Sequence, residues 1–138
     1  MAGFNRVKGG DKGFEPVTIS SLAVAVGDLL MWDYENEKAI LATSSATPER
    51  IAGVAVAAAV SGDTSVLVQK PEEYDEYIVD ATNAVAATDN YHRYALTDEN
   101  AVANGADDTA DTAIFQQLGV VGTTQVRGRF VTRQDRAA

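Results

Sequence analysis

The chain predicts an all-β body, a single-domain sandwich or barrel of short antiparallel strands behind an extended N-terminal arm. Three observations carry this. Arg50–Gln69 places two β-prone runs, Ile51 to Val60 and Ser65 to Gln69, around a Ser-Gly-Asp-Thr turn, the usual form of a β-hairpin. A looser copy, Leu118 to Val131, again sets a Gly-Val pair before a short polar turn and a β-branched run. Turn signals recur between short apolar-alternating segments along the whole chain.

The elements follow in order. Residues 1–16 hold four glycines, mixed charges and Pro16, a composition that cannot hold a fold by itself, and are expected to form an extended basic arm. Phe4 and Phe14 are candidates to anchor it against a partner, the alternative being a disordered tail. The body is expected over 17–132, with a flexible tail at 133–138. Alternation begins at Val17, with Leu22, Val24 and Val26 on one face, and breaks at Gly27-Asp28. It resumes with Leu30, Trp32 and Tyr34 opposite Leu29, Met31 and Asp33. Glu35-Asn36-Glu37 is a turn, Lys38 to Thr43 a strand and Ser44 to Pro48 a loop. After the central hairpin, Pro71 to Val79 reads as a loop or short helix feeding a strand. Tyr91 to Leu96, Ala113 to Leu118 and Gln125 to Thr132 complete eight to ten strands, and Asp98 to Asp111 reads as an exposed acidic loop.

At 138 residues the chain fits one domain, and a domain of that size buries roughly 70% of the surface its unfolded chain exposes. Leu, Ile, Val and Phe number 32, about 23% of the chain and just above the roughly 20% below which disorder sets in. Alanine contributes 23 residues, each burying far less apolar area than Leu or Phe. Stability gained from neighbouring subunits is therefore expected.

The net charge of −9 is unevenly spread: residues 1–17 balance at +1, residues 123–138 at +3, and the middle at −13. Such an acidic body argues against a groove that tracks a nucleic-acid backbone, which needs clustered Lys and Arg. The basic ends suit an acidic protein surface instead. The absence of cysteine excludes disulfides and thiolate chemistry. No run approaches a membrane span and the N-terminus lacks the apolar stretch of a secretory signal, so a product made in the cytoplasm, with no membrane partner, is expected.

Signals for chemistry are weak. Glu72, Glu73, Asp75 and Glu76 form the densest carboxylate group, but consecutive acids splay outward rather than converge on a cation, so a solvated charged face is expected. Asp98 to Asp108 fails the calcium-loop pattern at Val102 and Ala103. His92, the only histidine, has no Gly-x-Ser-x-Gly elbow to supply a nucleophile and is expected to be a surface or packing residue. Lys12 lies between glycines without a phosphate-binding motif. Trp32 and Tyr34 are expected in the core or at an oligomer interface, with ligand stacking as the alternative. Arg127 and Arg129 share a strand face, separated by Gly128, which permits close approach of another backbone. They are placed to pair with a partner's carboxylates or with this domain's own.

Val26-Gly-Asp-Leu-Leu30, the Ile51-Ala-Gly-Val-Ala55 strand with its Ser61-Gly-Asp63 turn, and Leu118-Gly-Val-Val121 to Val126-Arg-Gly-Arg-Phe130 together resemble the capsid decoration, or cement, proteins of tailed bacteriophages. The resemblance spans about residues 18–131. It implies a β-barrel or β-tulip body, no catalysis and no cofactor, a homotrimer or dimer, docking on the major capsid protein at the outer surface of the virion, and a terminal arm on a neighbouring subunit. On that reading Arg6, Lys8, Lys12, Arg127 and Arg129 contribute to electrostatic docking while Phe4 and Phe14 anchor the arm. The alternatives are another virion component, such as a tail- or fibre-associated β-domain, and an enzyme or small-ligand binder using Glu72 to Glu76 and His92.

Overall fold

The alternation of apolar and polar residues sorts the chain into strands whose inward side chains build two cores. The computed structural model describes residues 3–9, 13–72 and 74–131. Its eleven strands are β1 (Asn5–Lys8), β2 (Glu15–Thr18), β3 (Leu29–Asp33), β4 (Lys38–Leu41), β5 (Ile51–Ala55), β6 (Ser65–Gln69), β7 (Glu76–Ala81), β8 (Arg93–Asp98), β9 (Ala101–Ala103), β10 (Phe115–Val121) and β11 (Gln125–Phe130). Two single-turn 3-10 segments, Pro48–Arg50 and Ala87–Asp89, are the only helical elements among the described residues.

The strands form two sheets, β1-β7-β11-β10-β8-β9 and β2-β6-β5-β3-β4. In the first, β11 runs antiparallel along one edge of β7. The other edge is shared, with β1 antiparallel on Glu76–Ile78 and β9 parallel on Asp80–Ala81. The β9 pairing closes β7-β11-β10-β8-β9 into a ring, and β1 covers the half of the β7 edge that β9 leaves open. All other strand pairings are antiparallel, as expected.

The larger core lies between the sheets. Tyr77, Val79, Tyr94, Leu96, Val102, Phe115, Val126 and Phe130 of the ring meet Leu29, Met31, Ile51 and Val54 of the second sheet. The smaller core lies on the opposite face of the second sheet, where Val17, Leu30, Val66 and Val68 pack with Ala39, Ala52, Ala55 and Ala59. Strand β5 is therefore buried on both faces, which explains its small residues. Gly53, with φ +153°, lies at a register shift between β3 and β5; a Cβ there would sit 2.7 Å from Val68 Cγ2.

The strands expected at Lys38–Thr43, Tyr91–Leu96, Ala113–Leu118 and Gln125–Thr132 appear as β4, β8, β10 and β11, and Pro71–Val79 does feed a strand, β7. Four expectations are corrected. The described residues of the segment expected as an arm are woven into the body: β1 pairs with β7, and β2, which begins at Glu15, pairs with β6. Its four glycines do not prevent this, because Phe4 alone buries a large aromatic face in the larger core. Leu22–Val26 is not a strand; Val24 makes an isolated bridge to Ala59, and Ala23, Ala25 and Val26 are exposed. The first arm of the central hairpin ends at Ala55, after which residues 56–64 loop out before β6. The acidic loop Asp98–Asp111 contains β9, whose Val102 is fully buried.

Candidate partner-binding surface

The sequence singled out a basic arm, a basic strand and an acidic run as separate features, and the fold brings members of all three together. Glu76 is the outward residue at the start of β7, with β1 on one side and β11 on the other. Its carboxylate lies 3.4 Å from Lys8 Nζ and accepts a hydrogen bond from Arg127 Nη1. The Glu76 side chain is only 14% exposed, whereas Lys8 is mostly in water. The solvated face expected for the acidic run is thus corrected: Asp75 is buried, accepting a hydrogen bond from the Glu72 N–H at 3.1 Å, and Glu76 is spent on two cations. Glu73 lies outside the described residues.

Arg127 accordingly meets the domain's own acid. Arg129 instead donates from Nε to Gln116 Oε1 at 3.3 Å, and meets no carboxylate among the described residues. Gly128 between them permits the expected close approach: a Cβ there would lie 2.1 Å from the Gln116 carbonyl oxygen.

Phe4 is not available to a partner, which corrects its expected role. It is 2% exposed, with ring centroids of Phe130, Phe115 and Tyr77 at 5.0, 5.6 and 6.4 Å. Its N–H donates to the Gly27 carbonyl at 2.7 Å, so the arm is pinned to its own body by both side chain and backbone. Phe14 is the exposed one, at 55%. Arg6 is half-buried opposite Tyr77, on the same side of the ring. Lys12 lies outside the described residues.

Between the two sheets, β1 and β7 on one side and β5 and β6 on the other enclose a cleft of about 350 Å³. Phe4, Phe14, Val26, Gly27 and Val54 give it apolar walls, and Asn5, Arg6, Gln69 and Tyr77 supply polar atoms. Gln69 Nε2 and the Tyr77 hydroxyl are buried without a hydrogen-bond partner among the described residues. Burial pushes the Tyr77 phenol well above its ordinary range, with Asp75 adding to the shift and Arg6 opposing it, so the hydroxyl keeps its proton.

Elsewhere the aromatic and titratable candidates serve local structure. Trp32 is half-buried against the smaller core, and Arg50 Nε and Nη2 donate to its carbonyl at 3.1 and 3.0 Å. Tyr34 is exposed and donates to the Glu49 carbonyl at 2.8 Å. Asn36 donates to Asp33, which lowers the Asp33 pKa and fastens the expected Glu35–Glu37 turn. His92 is a half-exposed residue whose Nδ1 lies 3.8 Å from Asp89, with its ring edge-on to Tyr94. The described residues contain no group of three or more His, Cys, Asp or Glu placed to hold a metal, and no helix long and apolar enough to cross a membrane.

Sequence reasoning missed Gln69 and Tyr77. Both stand in β-prone runs where alternation assigns a face but does not reveal an unmet hydrogen bond. No family model, curated protein or solved structure matches the chain.

Proposed function

We propose that this chain is a structural capsid decoration protein, which binds the outer surface of the major capsid protein shell, as a homotrimer or dimer, and reinforces a phage head. The reading rests first on the resemblance carried by the Val26–Leu30, Ile51–Ala55 and Leu118–Phe130 segments. The observation that supports it best is the rim of the cleft between the sheets, where exposed Phe14 and Val26 lie with the cationic Arg6, in a chain of net charge −9. Apolar anchors next to an arginine are an ordinary composition of a protein-docking patch. A capsid repeats one acceptor surface many times, so modest sites act together and bridging of subunits stabilises the shell. The alanine-rich smaller core also gains from being covered, since its residues bury little area each.

The test is to titrate phage heads stripped of decoration with the purified chain, after measuring its solution mass by light scattering. A trimer or dimer that saturates the heads at a fixed ratio is expected. A monomer that leaves the heads bare would overturn the reading.

A further inference from the structure

Two buried tyrosines and two buried glutamines in this fold provide an internal comparison. Tyr94 donates to Gln117 Oε1 at 3.0 Å, and Gln117 Nε2 donates to the Ala86 carbonyl at 2.9 Å and to Asn90 Oδ1 at 3.0 Å. Tyr77 and Gln69, at 1% and 4% exposure, have a hydroxyl and an amide nitrogen with no partner among the described residues. Buried polar groups are nearly always bonded, so two orphans in one place call for a cause. Both line the same cleft, one contributed by each sheet.

We propose that this cleft is a docking pocket for one large apolar side chain of an extended partner segment, whose backbone carbonyl oxygen accepts hydrogen bonds from Gln69 Nε2 and the Tyr77 hydroxyl. The chemistry of the walls selects that occupant. An amide nitrogen can only donate, and a phenol held protonated by burial donates readily, so the matching ligand atom is an acceptor oxygen. Arg6 on the same side adds positive potential, and no acidic residue lines the cleft among the described residues. The rings of Phe4 and Phe14, with Val26 and Val54, suit an apolar body. A volume of about 350 Å³ lies at the low end of small-molecule pockets, enough for one large side chain and its peptide group. The two donors are shielded from water in the free protein, so the segment reaches them by rearranging the mouth, where Phe14 and Val26 are the exposed side chains. The assignment rests on the decoration reading only in making the segment part of the capsid shell.

The experiment has two arms. In the first, the intact chain is titrated with N-acetyl-phenylalaninamide, and with N-acetyl-glycinamide as a control, while the Gln69 side-chain amide is followed by NMR. Saturable shifts with the phenylalanine compound, at least about tenfold weaker binding of the glycine compound, and about three- to tenfold weaker binding by Tyr77→Phe are expected. No saturable shift at Gln69, or unchanged binding by Tyr77→Phe, overturns the pocket. In the second arm, stripped heads are titrated with the wild type and with Val26→Lys, a change at an exposed position that leaves the cores untouched. Weaker binding by Val26→Lys supports the pocket. Equal binding overturns it while the decoration reading stands. Heads that bind neither protein, with the phenylalanine compound still bound, sink the decoration reading and leave the pocket standing.

Discussion

Tyr94 with Gln117 and Tyr77 with Gln69 are the same residue types, buried to the same degree, in the same ring and its facing sheet, yet one set is bonded and the other is not. The bonded set sits over the Ala86–Asn90 turn, whose backbone and Asn90 side chain complete the network. The unbonded set faces the cleft between the sheets, whose lining is mostly aromatic rings and valine methyls, with Asn5 and Arg6 as the other polar side chains. Similar burial thus yields structural polar groups in one region and unspent hydrogen-bonding capacity in the other. An orphaned buried donor costs stability in the free protein, which is tolerable where binding recovers it.

The comparison can be broken in order of effect. Phe4→Ala removes the ring that joins the first strand to Tyr77, Phe115 and Phe130, and a loss of about 3–5 kcal/mol is expected in denaturant melts. A loss under about 1 kcal/mol would mean that the segment is held by β1 pairing alone. Tyr94→Phe strands Gln117 Oε1 without its tyrosine donor and should cost about 1–3 kcal/mol. Tyr77→Phe strands nothing, so the same measurement should show between no change and a gain of about 1 kcal/mol. If the two Tyr→Phe variants lost equal stability, the contrast between the regions would be gone.

A smaller effect appears at high pH. Burial, chiefly, raises both phenols above their ordinary value of 10.0, with Tyr94 pushed up to about 12. A raised pKa means that the folded state holds the proton more tightly than the unfolded state. The contribution is therefore fully present below the unfolded value and is lost as pH rises through the folded one. Stability should be flat in this respect below about pH 10 and fall above it, with a shallower fall in either Tyr→Phe variant. A fall of unchanged steepness in both variants would assign alkaline unfolding to other groups.

The all-β class was legible because alternation and turn residues are local signals, as the Leu29–Asp33 strand and the Glu35–Glu37 turn illustrate. What escaped the sequence depends on partners far along the chain. β9 offers a single apolar residue larger than alanine, Val102, within an acidic and alanine-rich stretch, and becomes a strand only because β8 and β7 flank it. The opposite error arose at Leu22–Val26, where an alternating pattern has just one bridging partner, at Ala59. In the first sixteen residues the glycine content masked the one residue that decides the matter, Phe4. At the candidate site, Arg127 and Lys8 were visible as cations, but their shared partner Glu76 was hidden in a run of acids. Strand alternation of Glu76, Ile78 and Asp80 against Tyr77 and Val79 is the signal that separates it from Glu72. Gln69 and Tyr77 had no such signal, because an unmet hydrogen bond is a property of the packed fold.

The most direct test of the decoration reading is the thermal unfolding of stripped phage heads, followed by calorimetry with and without saturating amounts of the chain. The shell transition is expected to move to higher temperature as sites fill and to stop moving at saturation. A shell transition that stays in place, while the chain melts separately at its own temperature, would contradict it.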